Sequence, residues 1–436
     1  MMAVEKTKHM PLNMGLMGYI GTALDANDFI FFNIVVVTFR GFTGNLFLIA
    51  ILVNVHRLLG CTLQPYVAWK ADHIRSRFGR RKPFLLVSLP GTAIFVILLG
   101  LLPEWIPKSD YHTVYALAAV AGVFILWQMC QEINLSAHTT LYPAVLEQRW
   151  LGTAGSVRMF ISGLMTLFMT YYVMHWADIS GFYPYLTGAI ITALAIPCLL
   201  MTPENVTHTP VPARYNPVAH IHLLWEHRRY AMISIIAAAA LAFPVTMVLF
   251  QSLYVTRVLH FTLGQLGKAM FPGTIIALLL AVPLGYAVDT ITPRRMMMVA
   301  FALWIIAAAA MALFVRHWLA LMLVQIIYFV AYTIQMSAIL ALTFEGVSED
   351  MRGAVFGVIQ ITRAIATILA SLIVGYLVNF HAHYRLAYYA CLIIAIVGLL
   401  ISWWLKPAEN PSSNMTGDTG LVAADVSISH HRAEGS

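Results

Sequence analysis

Seven ionisable side chains stand inside stretches apolar enough to cross a membrane: Asp25, Asp28, His56, Arg57, Glu132, Arg158 and Arg363. A charge at the centre of a bilayer costs several kcal/mol, so such residues face the interior of a helix bundle and find partners there. Carboxylates beside an arginine can hold the hydroxyls of a polar solute or exchange a proton. Asp25 and Asp28 are three residues apart and share a helical face, as do Gln128 and Glu132, four apart. Arg158 follows Gly152, Gly155 and Ser156, small residues that let helices approach closely. The simplest pairing joins Glu132 to Arg158 across a short connection. Alone it would be a structural ion pair; with Asp28 and Gln128 beside it, it forms a polar solute site. Asp25, Asp28, Glu132 and His56 are the candidates for proton coupling. Imidazole titrates near neutrality, although His56 equally suits a hydrogen-bonded packing role.

The elements that must carry these groups are membrane helices. The chain has 436 residues, of which 60% are hydrophobic and 10% charged, which excludes an ordinary soluble domain. A spanning helix needs roughly 20 apolar residues. The pattern predicts an all-α membrane protein of twelve helices in two six-helix halves. In the first half (1–201) the spans are Leu12–Phe39, Phe42–Ala71, Pro83–Leu102, Thr113–Leu141, Thr153–His175 and Phe182–Met201. A polar, proline-bearing linker occupies 202–229. The second half (230–405) carries Tyr230–Thr256, Gly264–Val288, Arg295–Val315, Trp318–Phe344, Gly353–Phe380 and Tyr384–Leu405. A Ser-, Asn- and Asp-rich tail, 406–436, reads as disordered.

The second half offers softer polar stripes. Gln325, Tyr328, Tyr332 and Gln335 fall on one face of span 10, Gln360, Arg363 and Thr367 on one face of span 11, and Gln251 and Tyr254 on span 7. Aromatic rings with amide donors suit a polyol, though rings at helical spacing also serve plain packing. Pro244, Pro272 and Pro283 fall inside spans 7 and 8 and are expected to loosen them.

Two related loops flank the spans. Asp72–Phe84 carries Arg75, Arg77, Arg80, Arg81 and Lys82 around Gly79, and Asp289 precedes Arg294 and Arg295 half a chain later. Recurrence at that distance points to duplicated halves. Asp72, Arg75, Gly79, Arg80, Arg81, Asp289, Arg294 and Arg295 are expected to form a conformational gate. The cations of both loops lie on one side of the predicted topology, which places that side and both termini in the cytoplasm, with a bacterial inner membrane as the expected location. The net charge of +7 sits at span ends, which argues against a nucleic-acid partner. Cys61, Cys130, Cys198 and Cys391 all lie in apolar segments and read as core thiols. No phosphate-cradling loop, metal-spaced histidine pair or activated nucleophile stands out, so no enzyme activity, cofactor or metal is expected.

These loops resemble the signature of the major facilitator superfamily between spans 2–3 and 8–9. Gln64-Pro65 leading into Asp72, then Ser76-Arg77-Phe78-Gly79-Arg80-Arg81-Lys82-Pro83-Phe84, is similar to the loop of the sucrose:proton symporters and the related glycoside–pentoside–hexuronide:cation symporters. The resemblance implies that Asp28, Glu132 and Arg158 hold sugar hydroxyls, with Arg363 where the group has a lysine. Sodium-coupled members use two acids on span 2; the matching positions here are Gln64 and Gly60, so the resemblance favours protons. The expected function is proton-coupled symport of a sugar, glycoside or similar polyhydroxylated solute by a monomeric carrier. The expected substrate contacts are Asp28, Gln128, Glu132, Arg158, Gln251, Tyr254, Tyr328, Tyr332, Gln335 and Arg363. The alternatives are a carrier of lysolipids or other amphiphiles and a transporter-like sensor without flux.

Overall fold

In the computed structural model the described residues are 10–74, 76, 78–146, 151–204, 228–345, 352–381 and 383–406. Twelve helices among them are long and apolar enough to cross a membrane. We number them α1–α12. Helix α1 runs Met10–Ile30 and continues through a π turn, Phe31–Val35, into Val36–Phe42. It is followed by α2 (Leu46–His73), α3 (Lys82–Trp105) and α4 (Val114–Val145). Helix α5 runs Leu151–Phe168, then a second π turn, Met169–Val173, then Met174–Ile179. Helix α6 is Phe182–Met201. The second half comprises α7 (Arg228–Arg257), α8 (Leu263–Ile291), α9 (Pro293–Leu313), α10 (Trp318–Phe344), α11 (Arg352–His381) and α12 (Arg385–Trp404). The expected spans are all present, displaced by a few residues at their ends. The π turns were not expected.

Local signals start several helices. The Asn45 side chain accepts from the backbone N–H groups of Phe47 and Leu48 at 3.0 and 3.1 Å and caps α2. Thr262 and Gln265 form a reciprocal capping box at α8. Pro244 lies inside α7, and Pro272 and Pro283 inside α8, without ending either helix.

The duplication is visible in the packing. In the first half α1 packs on α5 and α6, α2 on α4, and α3 on α4 and α6. In the second half α7 packs on α11 and α12, α8 on α10, and α9 on α10 and α12. The halves exchange equivalent contacts, α2 with α11 and α5 with α8, and α1 meets α7 through its π turn and final segment. We call the side carrying Arg80, Arg81, Arg294 and Arg295 the basic face.

The halves are closed at the face opposite to it. There the Asp178 carboxylate, near the end of α5, accepts from Leu263 N (3.0 Å) and Gly264 N (2.9 Å) at the start of α8. Its counterpart is Asn379, near the end of α11, whose Oδ1 accepts from Leu46 N at the start of α2 (3.0 Å). Glycines permit this closure. A Cβ on Gly267 would stand 2.1 Å from the Thr170 carbonyl oxygen in the α5 π turn, and one on Gly375 would stand 2.7 Å from Ala50 Cβ. Toward the basic face, by contrast, the hydrogen bonds among the described residues stay within one half.

Candidate functional site

The first-half cluster is built by α1, α2, α4 and α5. Gly18 and Gly21 bring α1 against α5; a Cβ on Gly21 would meet Arg158 Nε at 2.7 Å and His138 Cε1 at 2.9 Å. Arg158 therefore lies over the glycine face of α1 and reaches Asp25, with Nη2 to Oδ1 at 2.9 Å. Ser162, one turn along α5, donates to Asp25 Oδ2 at 2.5 Å. The pair is about a third exposed, 27% for Arg158 and 34% for Asp25.

This corrects the expected Glu132–Arg158 pair. Glu132 lies on the other side of the cluster, 5% exposed, and its Oε2 accepts from Gln64 Nε2 at 2.6 Å. Ser136, one turn beyond, donates to the Gln64 carbonyl at 2.8 Å and ties α4 to α2. A Cβ at Gly60 would be 3.0 Å from Glu132 Oε2. Gln64 and Gly60, the positions matched to the group's cation-binding acids, therefore both face Glu132. An amide donor and a glycine stand there instead of carboxylates.

Asp28 is exposed although it lies inside α1. Its Oδ1 accepts from Gln131 Nε2 at 3.4 Å, while the same amide donates to the Leu24 carbonyl at 3.0 Å. Gln128 is buried at 2% exposure, one turn before Glu132. Each acid thus has a different partner: a guanidinium for Asp25, the amide of Gln131 for Asp28 and the amide of Gln64 for Glu132.

The two histidines separate. His56 Nδ1 donates to the Val53 carbonyl of its own helix at 2.7 Å, and its ring stands edge-on to Phe31, with centroids 4.6 Å apart. That is a packing position within the helix that carries it, with no carboxylate hydrogen-bonded to the ring among the described residues. His138, on α4, is fully buried against α1, with Nε2 3.0 Å from the Met17 carbonyl. Arg57, on α2, was absent from the expected site. It interacts electrostatically with Glu132 and Asp28 from its own half and with Arg363 from the other.

Across the cleft, Tyr332 interacts electrostatically with Asp25, Arg363 and Asp28. Tyr328 stacks on Tyr332, with centroids 6.2 Å apart, and is buried. The polar face of α10 is therefore divided. Tyr332 meets the first-half acids, whereas Gln325 and Gln335 are buried and their side-chain N and O atoms have no hydrogen-bond partner among the described residues. Gln251 is in the same condition. Tyr254 departs from expectation. Its hydroxyl points to the Met311 carbonyl of α9 at 3.5 Å, and its ring meets Tyr388 of α12 edge-on at 5.0 Å. Helix α7 is buried on most sides, so its polar residues do not all face one cavity, and Tyr254 belongs to the interior of the second half.

The loop at the basic face is organised around an acid that the sequence did not single out. Gly79 adopts φ +105°, the left-handed region that glycine enters freely. The turn aims three backbone N–H groups at Glu204, just beyond α6. Arg80 N lies 2.9 Å and Arg81 N 3.1 Å from Oε1, and Lys82 N lies 3.2 Å from Oε2. A carboxylate at the start of α3 is favoured by the helix dipole. In the second half Arg294 instead donates to the α12 end, Nε to the Ser402 carbonyl at 2.9 Å. Arg229 joins α7 to α10 through Glu345, with Nη2 to Oε2 at 3.0 Å. Arg295 is exposed at the first turn of α9. Arg75 lies outside the described residues, as do the side chains of Asp72, Asp289, Gln360, Gly152, Gly155 and Ser156.

The two six-helix bundles pack together and are closed at one face around buried charges. Residues 232–428 match the family model described as Major Facilitator Superfamily. The match lies in the second half, and the fold extends the likeness across both. A mutant form of the nucleoside transporter NupG superposes with a TM-score of 0.69 at 15% identity, covering 91% of this chain and 98% of that one. A D-xylose-proton symporter gives 0.65 at 14% identity, covering 91% and 97%. The inward-open xylose transporter XylE from E. coli gives 0.66 at 12% identity, covering 90% and 95%. No curated protein matched the chain in sequence. The chain shares the fold of these carriers across both halves.

Proposed function

We propose that the chain is a proton-coupled symporter of a sugar or similar polyhydroxylated solute, working by alternating access between its halves. The observation that carries this is the set of three acids with unlike partners on one side of a cleft, facing Tyr332 and Arg363 on the other. Protonating Asp25 would break the ion pair with Arg158. Protonating Asp28 or Glu132 would cost one amide hydrogen bond, so these two are the proton carriers and Asp25 is the residue that positions Arg158. Hydroxyls of the solute then bind Arg158, Asp28 and Glu132 while a sugar face rests against Tyr332. Gln64 in place of an acid favours protons over sodium. Among the fold neighbours, the carriers of a nucleoside and of D-xylose handle polyhydroxylated solutes, while two POT family transporters are in complex with 5-aminolevulinic acid and a conjugated peptide.

With the basic face in the cytoplasm, the closed face is the outer one. The test is uptake into proteoliposomes of labelled mono- and disaccharides under an imposed proton gradient, with a sodium gradient as the comparison. Uptake of a sugar that rises with the proton gradient and ignores sodium is expected. Absence of flux for every sugar, with folded protein, would overturn the assignment.

A further inference from the structure

The two halves finish their basic loops differently. In the first half the start of α3 is covered by an acid of the chain, Glu204, which accepts from the backbone N–H groups of Arg80, Arg81 and Lys82. Glu204 ends the stretch Thr202-Pro203-Glu204 after α6, and the matching stretch after α12 is Lys406-Pro407-Ala408. The second half thus has a cation in place of Thr202 and no acid in place of Glu204. Between the start of α9 and the end of α12 lies a cavity of about 310 Å³ whose walls include Arg294, Arg295, Met298, Glu345, Trp403 and Lys406. Two of these charges are engaged. Arg229 holds Glu345 at 3.0 Å, and Arg294 donates to the Ser402 and Trp403 carbonyls. The side chains of Arg295 and Lys406 are exposed and have no hydrogen bond or ion pair among the described residues.

The surroundings indicate the kind of anion. Arg295 heads an exposed stripe along α9 that continues through Val299, Ala302 and Ile306 at helical spacing. On α12 the exposed residues Ile393, Ile396 and Leu400 lead to Trp403, which is 64% exposed and lines the cavity. Helices α9 and α12 pack on each other, so both apolar stripes run up to the same basic cavity. Tryptophan marks the level of the membrane–water boundary. We infer that this cavity binds the phosphate of an anionic phospholipid from the leaflet at the basic face, with Arg295 and Lys406 on its oxygens and the acyl chains along α9 and α12. Basic pockets between membrane helices suit such headgroups, and a guanidinium offers paired donors to a phosphate. A soluble phosphate would gain nothing from the apolar stripes. The lipid supplies from outside the negative charge that Glu204 supplies within the first half. The site is independent of the solute carried.

The test titrates phosphatidylglycerol, phosphatidylcholine and inorganic phosphate into the full-length protein in neutral detergent and counts bound ligand from the mass of the intact complex. Phosphatidylglycerol should bind at least about tenfold more tightly than phosphatidylcholine, since each cation near an anionic headgroup contributes. Arg295→Gln combined with Lys406→Gln should lower that affinity about tenfold or more. Arg295→Lys alone should keep most of it, because the charge remains. Lys70→Gln combined with Arg228→Gln removes two other cations near the ends of α2 and α7 and should leave it unchanged. The wild-type preference decides the matter even if a variant does not fold: equal binding of the two lipids would overturn the site. Equal losses in the two double variants would also overturn it, by reducing it to diffuse surface charge. Inorganic phosphate held as tightly as phosphatidylglycerol would overturn the lipid as occupant. A preference that emerges only in Glu409→Gln would overturn it too, and would assign the cavity to an acid of the chain.

Discussion

The two halves share one packing plan and treat polar groups in opposite ways. In the first half the buried polar atoms are largely joined. Arg158 binds Asp25, Ser162 binds Asp25, Gln64 binds Glu132, Gln131 binds Leu24 and Asp28, and Ser88 binds Asn134. In the second half Ser234, Thr246, Gln251, Ser252, Gln325 and Gln335 are buried, and their side-chain hydrogen-bonding atoms lack partners among the described residues. An unmet buried polar group costs about 1–3 kcal/mol, so this arrangement is a standing disadvantage in the state described. The first half joins its charged groups to partners within itself. The second half holds neutral groups whose partners must come from the solute, from water or from the other conformational state.

The comparison is broken most severely at Arg158. Arg158→Gln leaves Asp25 without its cation, and Asp25→Asn leaves the arginine without its acid. A charged hydrogen bond is worth about 1.5–3 kcal/mol, so either change should lower uptake by about ten- to a hundredfold. The double variant should regain thermal stability in detergent without regaining uptake. If both single variants transport at the wild-type rate, the paired first half is not the site.

Glu132 separates holding from coupling. Glu132→Gln keeps an oxygen and the length of the side chain but removes the exchangeable proton. Proton-driven accumulation should be lost while counterflow of the same solute persists at a reduced rate. Full accumulation in this variant would move the coupling role to Asp28. The same pair of assays on Asp28→Asn identifies which acid carries the proton.

Twelve spans and the duplication were legible in the sequence because length, apolar composition and the repeated basic loop each point to them. The π turns at Phe31–Val35 and Met169–Val173 were not, because a widened turn is a response to neighbours and leaves no period in the composition. The acids were legible as charges in apolar stretches; their partners were not. Counting turns from a loop gives depth but not azimuth, so Glu132 was matched to Arg158 when the glycines of α1 direct that arginine to Asp25. Gly18 and Gly21, three apart, were the signal available for that contact. Glu204 escaped notice because it binds backbone N–H groups, which every sequence has.

Closure between the halves can be tested at the glycine with the tightest approach. Gly267→Val would force a side chain into the space where a Cβ already stands 2.1 Å from the Thr170 carbonyl oxygen. That oxygen belongs to backbone and cannot swing aside. The expected outcome is a protein that folds but does not close the face opposite the basic loops. Uptake should fall about tenfold, corresponding to a shift of about 1.4 kcal/mol in the conformational balance. Distances between spin labels on α5 and α8 at that face should lengthen. Unchanged distances with unchanged uptake would mean that the α5–α8 contact is not required for the cycle.

The smallest effect is the sharpest test of the contrast itself. Gln131→Leu removes an amide that donates to the Leu24 carbonyl at 3.0 Å, so it should destabilise the folded protein by about 1 kcal/mol or somewhat more. Gln325→Leu removes a fully buried amide with neither nitrogen nor oxygen partnered among the described residues. An apolar group of similar volume relieves that penalty, so this variant should be neutral or more stable by about 1 kcal/mol. The measurement is the unfolding temperature of each variant in the same detergent, paired with its uptake. Opposite signs of the stability change, with uptake falling in Gln325→Leu as stability rises, would mark the second-half amide as a group kept for transport at the expense of stability. Destabilisation of equal size in both would mean that the two halves satisfy their polar groups alike and that the contrast is not a property of the protein.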